Sequence, residues 1–196
     1  MTKKYNSVLI IGMGLIGSSI SRALVENHVA NSVYGLDTND KIIKKCHDLN
    51  LLVQGETNLK NFDLQFDLII ICTPLSAYKN IFSSLSDFIS QPTLITDVGS
   101  TKMSTISDFK KAVTNNNITF VPSHPIAGLE KSGPEYGFSK LFDNRYCILT
   151  PYETNDAATS SISEMWKSIG MTVELMEADR HDRVLAMTSH IPQLIA

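Results

Sequence analysis

Val8-Leu-Ile-Ile-Gly12-Met-Gly14-Leu-Ile-Gly17 is an apolar run that ends in three glycines. The run reads as a β-strand, and Leu15–Asn27 behind it reads as a helix, because apolar residues recur there at helical spacing. Gly12 permits the tight turn between the two, Gly14 lets a ligand approach the backbone, and Gly17 lets the helix pack closely on the strand. The first N–H groups of the helix, at Leu15, Ile16 and Gly17, have no partner one turn earlier. With the helix dipole behind them they suit a phosphate.

The same strand-then-helix rhythm continues along the chain. Further strands are expected at Ser32–Leu36, Leu68–Cys72, Thr93–Asp97, Thr119–Pro122, Tyr146–Thr150 and Thr172–Leu175, with a weak one near Leu51–Gln54. Helices are expected at Asn39–Leu49, Ala77–Ile89, Lys102–Thr114 and Ala157–Ile169. The strands are almost continuously apolar, as they must be when helices cover both faces of a sheet. This pattern predicts an α/β fold, a Rossmann-type doubly wound and mainly parallel sheet, over residues 1–176. Residues 122–142 break the rhythm with three prolines and three glycines, and a loop this long in a compact domain is read as functional. A last helix is expected over Arg180–Ile191, so residues 177–196 are read as the start of a second, helical domain.

In such a sheet, ligands bind at the carboxyl ends of the strands. Asp37 ends the second strand, twenty residues beyond Gly17, where a carboxylate can accept hydrogen bonds from a ribose. It would repel a 2′-phosphate, and Thr38-Asn-Asp40 supplies no arginine to hold one. NAD is therefore expected in preference to NADP. The alternative role for Asp37 is to cap the next helix. Thr73 and Pro74 would pass beside the ribose and nicotinamide half of the cofactor, with capping as a second role for Thr73. Gly99 and Ser100 follow the next strand; Gly99 is read as a cofactor contact, and Ser100 as either a helix cap or an active-site hydroxyl.

His124 follows another strand, and Pro125 after it disfavours helical backbone and holds it extended. A neutral imidazole is the usual acceptor of a hydroxyl proton when the neighbouring carbon gives up hydride. His124 is therefore the candidate catalytic base, against the general expectation that a lone histidine is structural. His28 and His47 fall on helices away from the ligand edge and are read as surface residues.

The bulk properties exclude several classes. A net charge of -3 argues against nucleic acid or an anionic membrane as partner. Cys46, Cys72 and Cys147 are odd in number and widely spaced, so they are read as reduced thiols, with no disulfide and no metal site. The N-terminus lacks the apolar core of a signal peptide, and no apolar run is long enough to cross a bilayer. The expected location is the cytoplasm.

Four segments together carry a family resemblance. Gly12-Met-Gly-Leu-Ile-Gly-Ser18, Asp97-Val-Gly-Ser-Thr-Lys102, His124-Pro-Ile-Ala-Gly-Leu-Glu-Lys-Ser-Gly133 and His181-Asp-Arg-Val-Leu-Ala-Met-Thr-Ser-His190-Ile-Pro192 resemble the prephenate/arogenate dehydrogenases of tyrosine biosynthesis. The His-Pro-x-Ala-Gly and Ser-His-x-Pro segments are far more specific than the glycine turn. The resemblance implies a small-molecule substrate, prephenate or arogenate, that is oxidatively decarboxylated, and a homodimer formed through a C-terminal helical domain. It implies that His124 accepts the ring hydroxyl proton and that Ser100 hydrogen-bonds His124 or that hydroxyl. Glu130 matches the family's acidic residue at the mouth of the site. Leu129 and Gln193 depart from it, standing where many members have threonine and a second histidine.

On the last helix, nine residues advance the chain by about two and a half turns, so His181 and His190 are expected on opposite faces. The motif match places His190, with Gln193, on the substrate side and leaves His181 to capping or packing. Two other classes share the glycine turn: dehydrogenases of the β-hydroxyacid or pyrroline-carboxylate type, and non-catalytic NAD-binding modules. The first commonly uses a lysine catalyst on a later helix and has no use for His124-Pro125.

Overall fold

The computed structural model describes residues 4–187; the expected site residues His190 and Gln193 lie outside the described residues. The chain alternates β1 (Tyr5–Ile11), α1 (Leu15–Glu26), β2 (Ala30–Leu36), α2 (Asp40–Asp48), β3 (Gln54–Glu56), β4 (Leu68–Ile71), α3 (Tyr78–Phe88), β5 (Thr93–Asp97), α4 (Met103–Ala112) and β6 (Ile118–Phe120). These six strands form one parallel sheet in the order β3-β2-β1-β4-β5-β6. The order reverses between β1 and β4, which opens a crevice at their carboxyl ends.

Consecutive side chains of a strand point to opposite faces, and the two cores follow that rule. Val8 and Ile10 of β1 pack with Leu68 and Ile70 of β4 against Ile20, Ala23 and Leu24 of α1. Leu9 and Ile11 pack with Ile69 and Ile71 against Tyr78, Phe82 and Leu85 of α3. A strand buried on both sides must be apolar at every position, hence the continuous runs in the sequence.

The last strands form a second sheet instead of extending the first, as the sequence reading had them do. β7 (Ser123–Pro125), β8 (Tyr146–Leu149) and β9 (Thr172–Leu175) stand in that order, with β7 antiparallel to β8 and β8 parallel to β9. β7 lies inside the segment read as a loop. It is an edge strand, the one place where Pro125, having no N–H, costs the ladder little. α5 (Asp156–Ser168) connects β8 to β9 and buries Ile162, Met165 and Trp166 against the first core. The rest of the loop is ordered on α1: Arg22 donates to the Pro134 carbonyl at 3.2 Å, and the Phe138 N–H to Ser19 Oγ at 3.1 Å. α6 (Ala178–Leu185) follows β9 and buries Ala178, His181 and Leu185 along one face.

Candidate functional site

Residues facing one another across the sheet define the ligand edge. Leu36 pairs with Ile11, Ile11 with Ile71, and Ile71 with Asp97. The chain therefore leaves the sheet at Asp37, Gly12, Cys72 and Val98 side by side. Gly12 turns at φ +94, and a Cβ there would lie 2.7 Å from the Cys72 carbonyl oxygen. Gly17 sits against the Gly12 carbonyl, where no Cβ fits. A Cβ at Gly14, in contrast, would meet nothing within 4 Å. Protein packing does not require that glycine, and the space over the first turn of α1 is open there.

Asp37 accepts the Met13 N–H through Oδ2 at 2.9 Å and the Asn39 N–H through Oδ1 at 3.0 Å. The cap of α2 is Asn39, whose side chain accepts from the Lys41 N–H, so the alternative of Asp37 as that cap falls. Asp37 instead ties the glycine turn to the end of β2 and borders a cavity of roughly 380 Å³. Gly12, Gly14, Leu36, Thr38, Thr73 and Pro74 line the cavity too, with Thr57, Ala77 and Ile81, which the sequence reading did not single out. Thr73 Oγ1 is buried with no hydrogen-bond partner among the described residues. A buried hydroxyl left unmatched at a cavity wall is a place for a ligand group to bind.

Beyond Thr73 the edge carries a buried ion pair. Lys102 Nζ lies 2.9 and 2.7 Å from the two carboxylate oxygens of Asp97 and donates to the Ser123 carbonyl at 2.6 Å. All three ammonium hydrogens are thus used, and neither side chain is exposed. Burial pulls the ammonium below the ordinary lysine value while Asp97 opposes the pull. Asp97 Oδ1 also accepts the Ser123 N–H at 3.0 Å, and Oδ2 the Gly99 N–H at 3.0 Å. Ser123 Oγ bonds Thr96 Oγ1 at 2.9 Å and receives the Trp166 indole N–H at 3.1 Å. Ser123 is therefore pinned through backbone and side chain alike, and His124 is the next residue. β7, though in the second sheet, is thereby held at the carboxyl end of β5.

His124 Nδ1 lies 2.9 Å from His181 Nε2, and His181 Nδ1 lies 2.8 Å from Asp182 Oδ1. Helical spacing puts His181 and His190 on opposite faces, and the motif match leaves His181 to capping or packing. His181 is fully buried and packs against the imidazole of His124, while the capping group is its neighbour Asp182. Asp182 accepts the Lys102 and Met103 N–H groups, 2.8 and 2.9 Å away, at the start of α4. Burial holds His181 below the usual histidine value against the opposing influence of Asp182. Burial raises the Asp182 carboxyl, but the N–H groups of Met103 and Lys102 and the His181 ring outweigh it and hold it low. The adjacent pair His181-Asp182 was the available signal. What it lacked was any indication that α6 packs on α4.

The remaining expected residues are placed as follows. Gly99 is packed by Leu75, Asp97 and Tyr78, and its N–H is committed to Asp97, which leaves it no donor for a cofactor. Ser100 is half-buried, and no hydrogen bond joins it to His124. Glu130 is exposed beyond β7. Leu15 is buried and Ile16 half-buried at the start of α1. Burial pushes the thiols of Cys72 and Cys147 far up and that of Cys46 up to about 11, so all three are unreactive thiols at neutral pH.

A parallel sheet with a glycine turn, an acidic residue at the end of the second strand and a cavity between them define a nucleotide-binding domain of the Rossmann class. Residues 20–175 match the family described as "Prephenate dehydrogenase, nucleotide-binding domain", and the chain belongs to that family. It is 35% identical over 193 residues to the cyclohexadienyl dehydrogenase of Zymomonas mobilis, covering 98% of this chain and 65% of that protein. It is 30% identical over 198 residues to the prephenate dehydrogenase of Bacillus subtilis, covering 100% of this chain and 53% of that protein. Among solved structures, the prephenate dehydrogenase of A. aeolicus in complex with hydroxyphenyl propionate and NAD+ superposes with a TM-score of 0.90 at 32% identity, over 97% of this chain and 66% of that one. The chain thus spans about half to two thirds of the length of these relatives. Among the described residues no helix is long and apolar enough to cross a membrane.

Proposed function

We propose that this chain is the nucleotide-binding part of an NAD-dependent prephenate dehydrogenase, which converts prephenate to 4-hydroxyphenylpyruvate in the cytoplasm as a step of tyrosine biosynthesis. The observation that carries the reading is the placement of His124: its strand is fastened to the carboxyl end of β5 by Asp97 and Lys102, next to the edge where Thr73 borders the cavity.

NAD suits the residues present. Gly14 leaves the space a pyrophosphate needs, Leu15, Ile16 and Gly17 offer their N–H groups, and Asp37 lies where a ribose would be held. Thr73 Oγ1 is an unmatched polar atom on the side of the ribose and nicotinamide. When bound, NAD+ supplies the hydride acceptor.

Within this reading, His124 takes the proton of the ring hydroxyl, and Ser100 orients that hydroxyl. Loss of the ring carboxylate as carbon dioxide makes the product aromatic, so the residues need to orient and deprotonate the substrate and do little else. Glu130, His190 and Gln193 belong to the substrate side. Residues 177–196 open a helical domain through which two copies pair.

Full-length protein mixed with NAD+ and either prephenate or arogenate, followed by NADH absorbance, tests the reading and separates the two substrates. His124→Asn is expected to lower turnover by about 100- to 10,000-fold while leaving the dissociation constant for NAD unchanged. Turnover retained in that variant removes His124 from the chemistry.

A further inference from the structure

The line from His124 through His181 to Asp182 has a direction, and that direction is set at its far end. Asp182 caps a ten-residue helix with both carboxylate oxygens, one on the Lys102 N–H and one on the Met103 N–H. An anion is favoured there by the N–H groups and the positive end of the helix dipole. A carboxylate has no proton to give, so at the 2.8 Å contact between His181 Nδ1 and Asp182 Oδ1 the imidazole is the donor. Burial keeps His181 neutral at neutral pH, and a neutral ring protonated on Nδ1 carries its lone pair on Nε2. That lone pair meets His124 Nδ1 at 2.9 Å, so His124 must donate from Nδ1. The other charges near His181 are Lys102 and Asp97. They are closed on each other, so among the described residues that act on His181 it is Asp182 that acts as a net charge.

We infer that His181 and Asp182 are positioning residues that fix the tautomer of His124, with its proton on Nδ1 and Nε2 as the atom that accepts. The inference rests on His124 being the proton acceptor of the proposed reaction. A histidine of the opposite tautomer would carry N–H where a base is needed, and correcting it would cost turnover even with every contact in place. The line also links the base to the frame that holds it, since Asp182 of α6 caps the start of α4, where Lys102 lies with its side chain under Ser123. A displacement of α6 would therefore disturb the protonation of His124 and not merely its packing.

Long-range proton–nitrogen NMR of the full-length protein labelled with 15N-histidine reports which ring nitrogen carries hydrogen. Wild-type protein is expected to show both His124 and His181 protonated on Nδ1. His181→Gln, whose amide oxygen can accept from His124, is expected to preserve that form and keep turnover within a few-fold. His181→Phe fills the space without an acceptor. It is expected to release His124 into a mixture containing the Nε2-protonated form and to lower turnover about 100-fold. A wild-type His124 protonated on Nε2, or an unchanged tautomer in folded His181→Phe, overturns the inference. The wild-type spectrum needs no substitution, so a His181→Phe protein that fails to fold leaves the test standing. Retained turnover in His124→Asn would defeat the proton-acceptor reading alone, while the spectrum still decides the tautomer.

Discussion

Asp37 shows how much one residue can carry. Its carboxylate receives the N–H of Met13 from the glycine turn and that of Asn39, and in the proposed reading the same group holds a ribose. Hydrogen bonds to charged groups contribute about 1.5–3 kcal/mol each, so losing the ribose contact corresponds to roughly ten- to hundredfold in affinity. Asp37→Ala is expected to weaken NAD by at least that factor in a calorimetric titration, because the turn also loses its anchor. An unchanged dissociation constant would remove the residue from the cofactor site. The position of Asp37 was legible because strand length and glycine spacing bring it to the crevice by local rules. His181 was not legible. Helical periodicity relates it to His190, whereas its partner His124 lies far away in the chain.

Among the elements, β7 differs most from its reading. The sequence shows a strand ending near Pro122 and then a proline- and glycine-rich loop; the structure starts a second sheet at Ser123. Only three residues pair, too few for a periodic signal, and their support is the ion pair beneath them. Removing one member of a buried pair leaves the other charged and unmatched, at a cost of about 3–5 kcal/mol. Lys102→Met should therefore lower unfolding free energy by that amount in urea melts. The double variant Asp97→Asn/Lys102→Met should be less destabilised than the sum of its parts. Strict additivity would mean that the two side chains do not act as a unit. The central strands behaved differently. β4 and the Val8–Ile11 part of β1 were readable, since burial on both faces writes itself into a run of Val, Leu and Ile.

For the molecule as a whole, the buried His181 makes stability depend on pH. Its folded value is lowered by burial, so as pH falls through about 6.5 the unfolded chain takes up the proton first. Unfolding is thereby favoured, and stability falls as the pH drops from about 6.5 towards the lowered folded value. The slope from this one group is at most about 1.4 kcal/mol per pH unit. Above pH 7 both states are neutral at this position and the contribution is flat. Denaturant unfolding between pH 7.5 and 5.0, compared with folded His181→Gln, should show the steeper loss in the wild type; equal slopes would place the acid sensitivity elsewhere.

The sequence by itself determined the parallel sheet, the glycine turn and the acid at the end of β2. Each follows from periodicity and spacing within some forty residues, where local geometry leaves few choices. It also marked His124 as the residue on which chemistry would turn. Only the tertiary structure decided what holds that imidazole: Asp97 and Lys102 under its strand, Trp166 on Ser123, and the His181–Asp182 line from α6 to the start of α4. Those contacts join segments up to eighty residues apart. The physical reason is that a buried polar group is satisfied by whichever element packs beside it, and side-chain patterning along one chain carries no record of that neighbour.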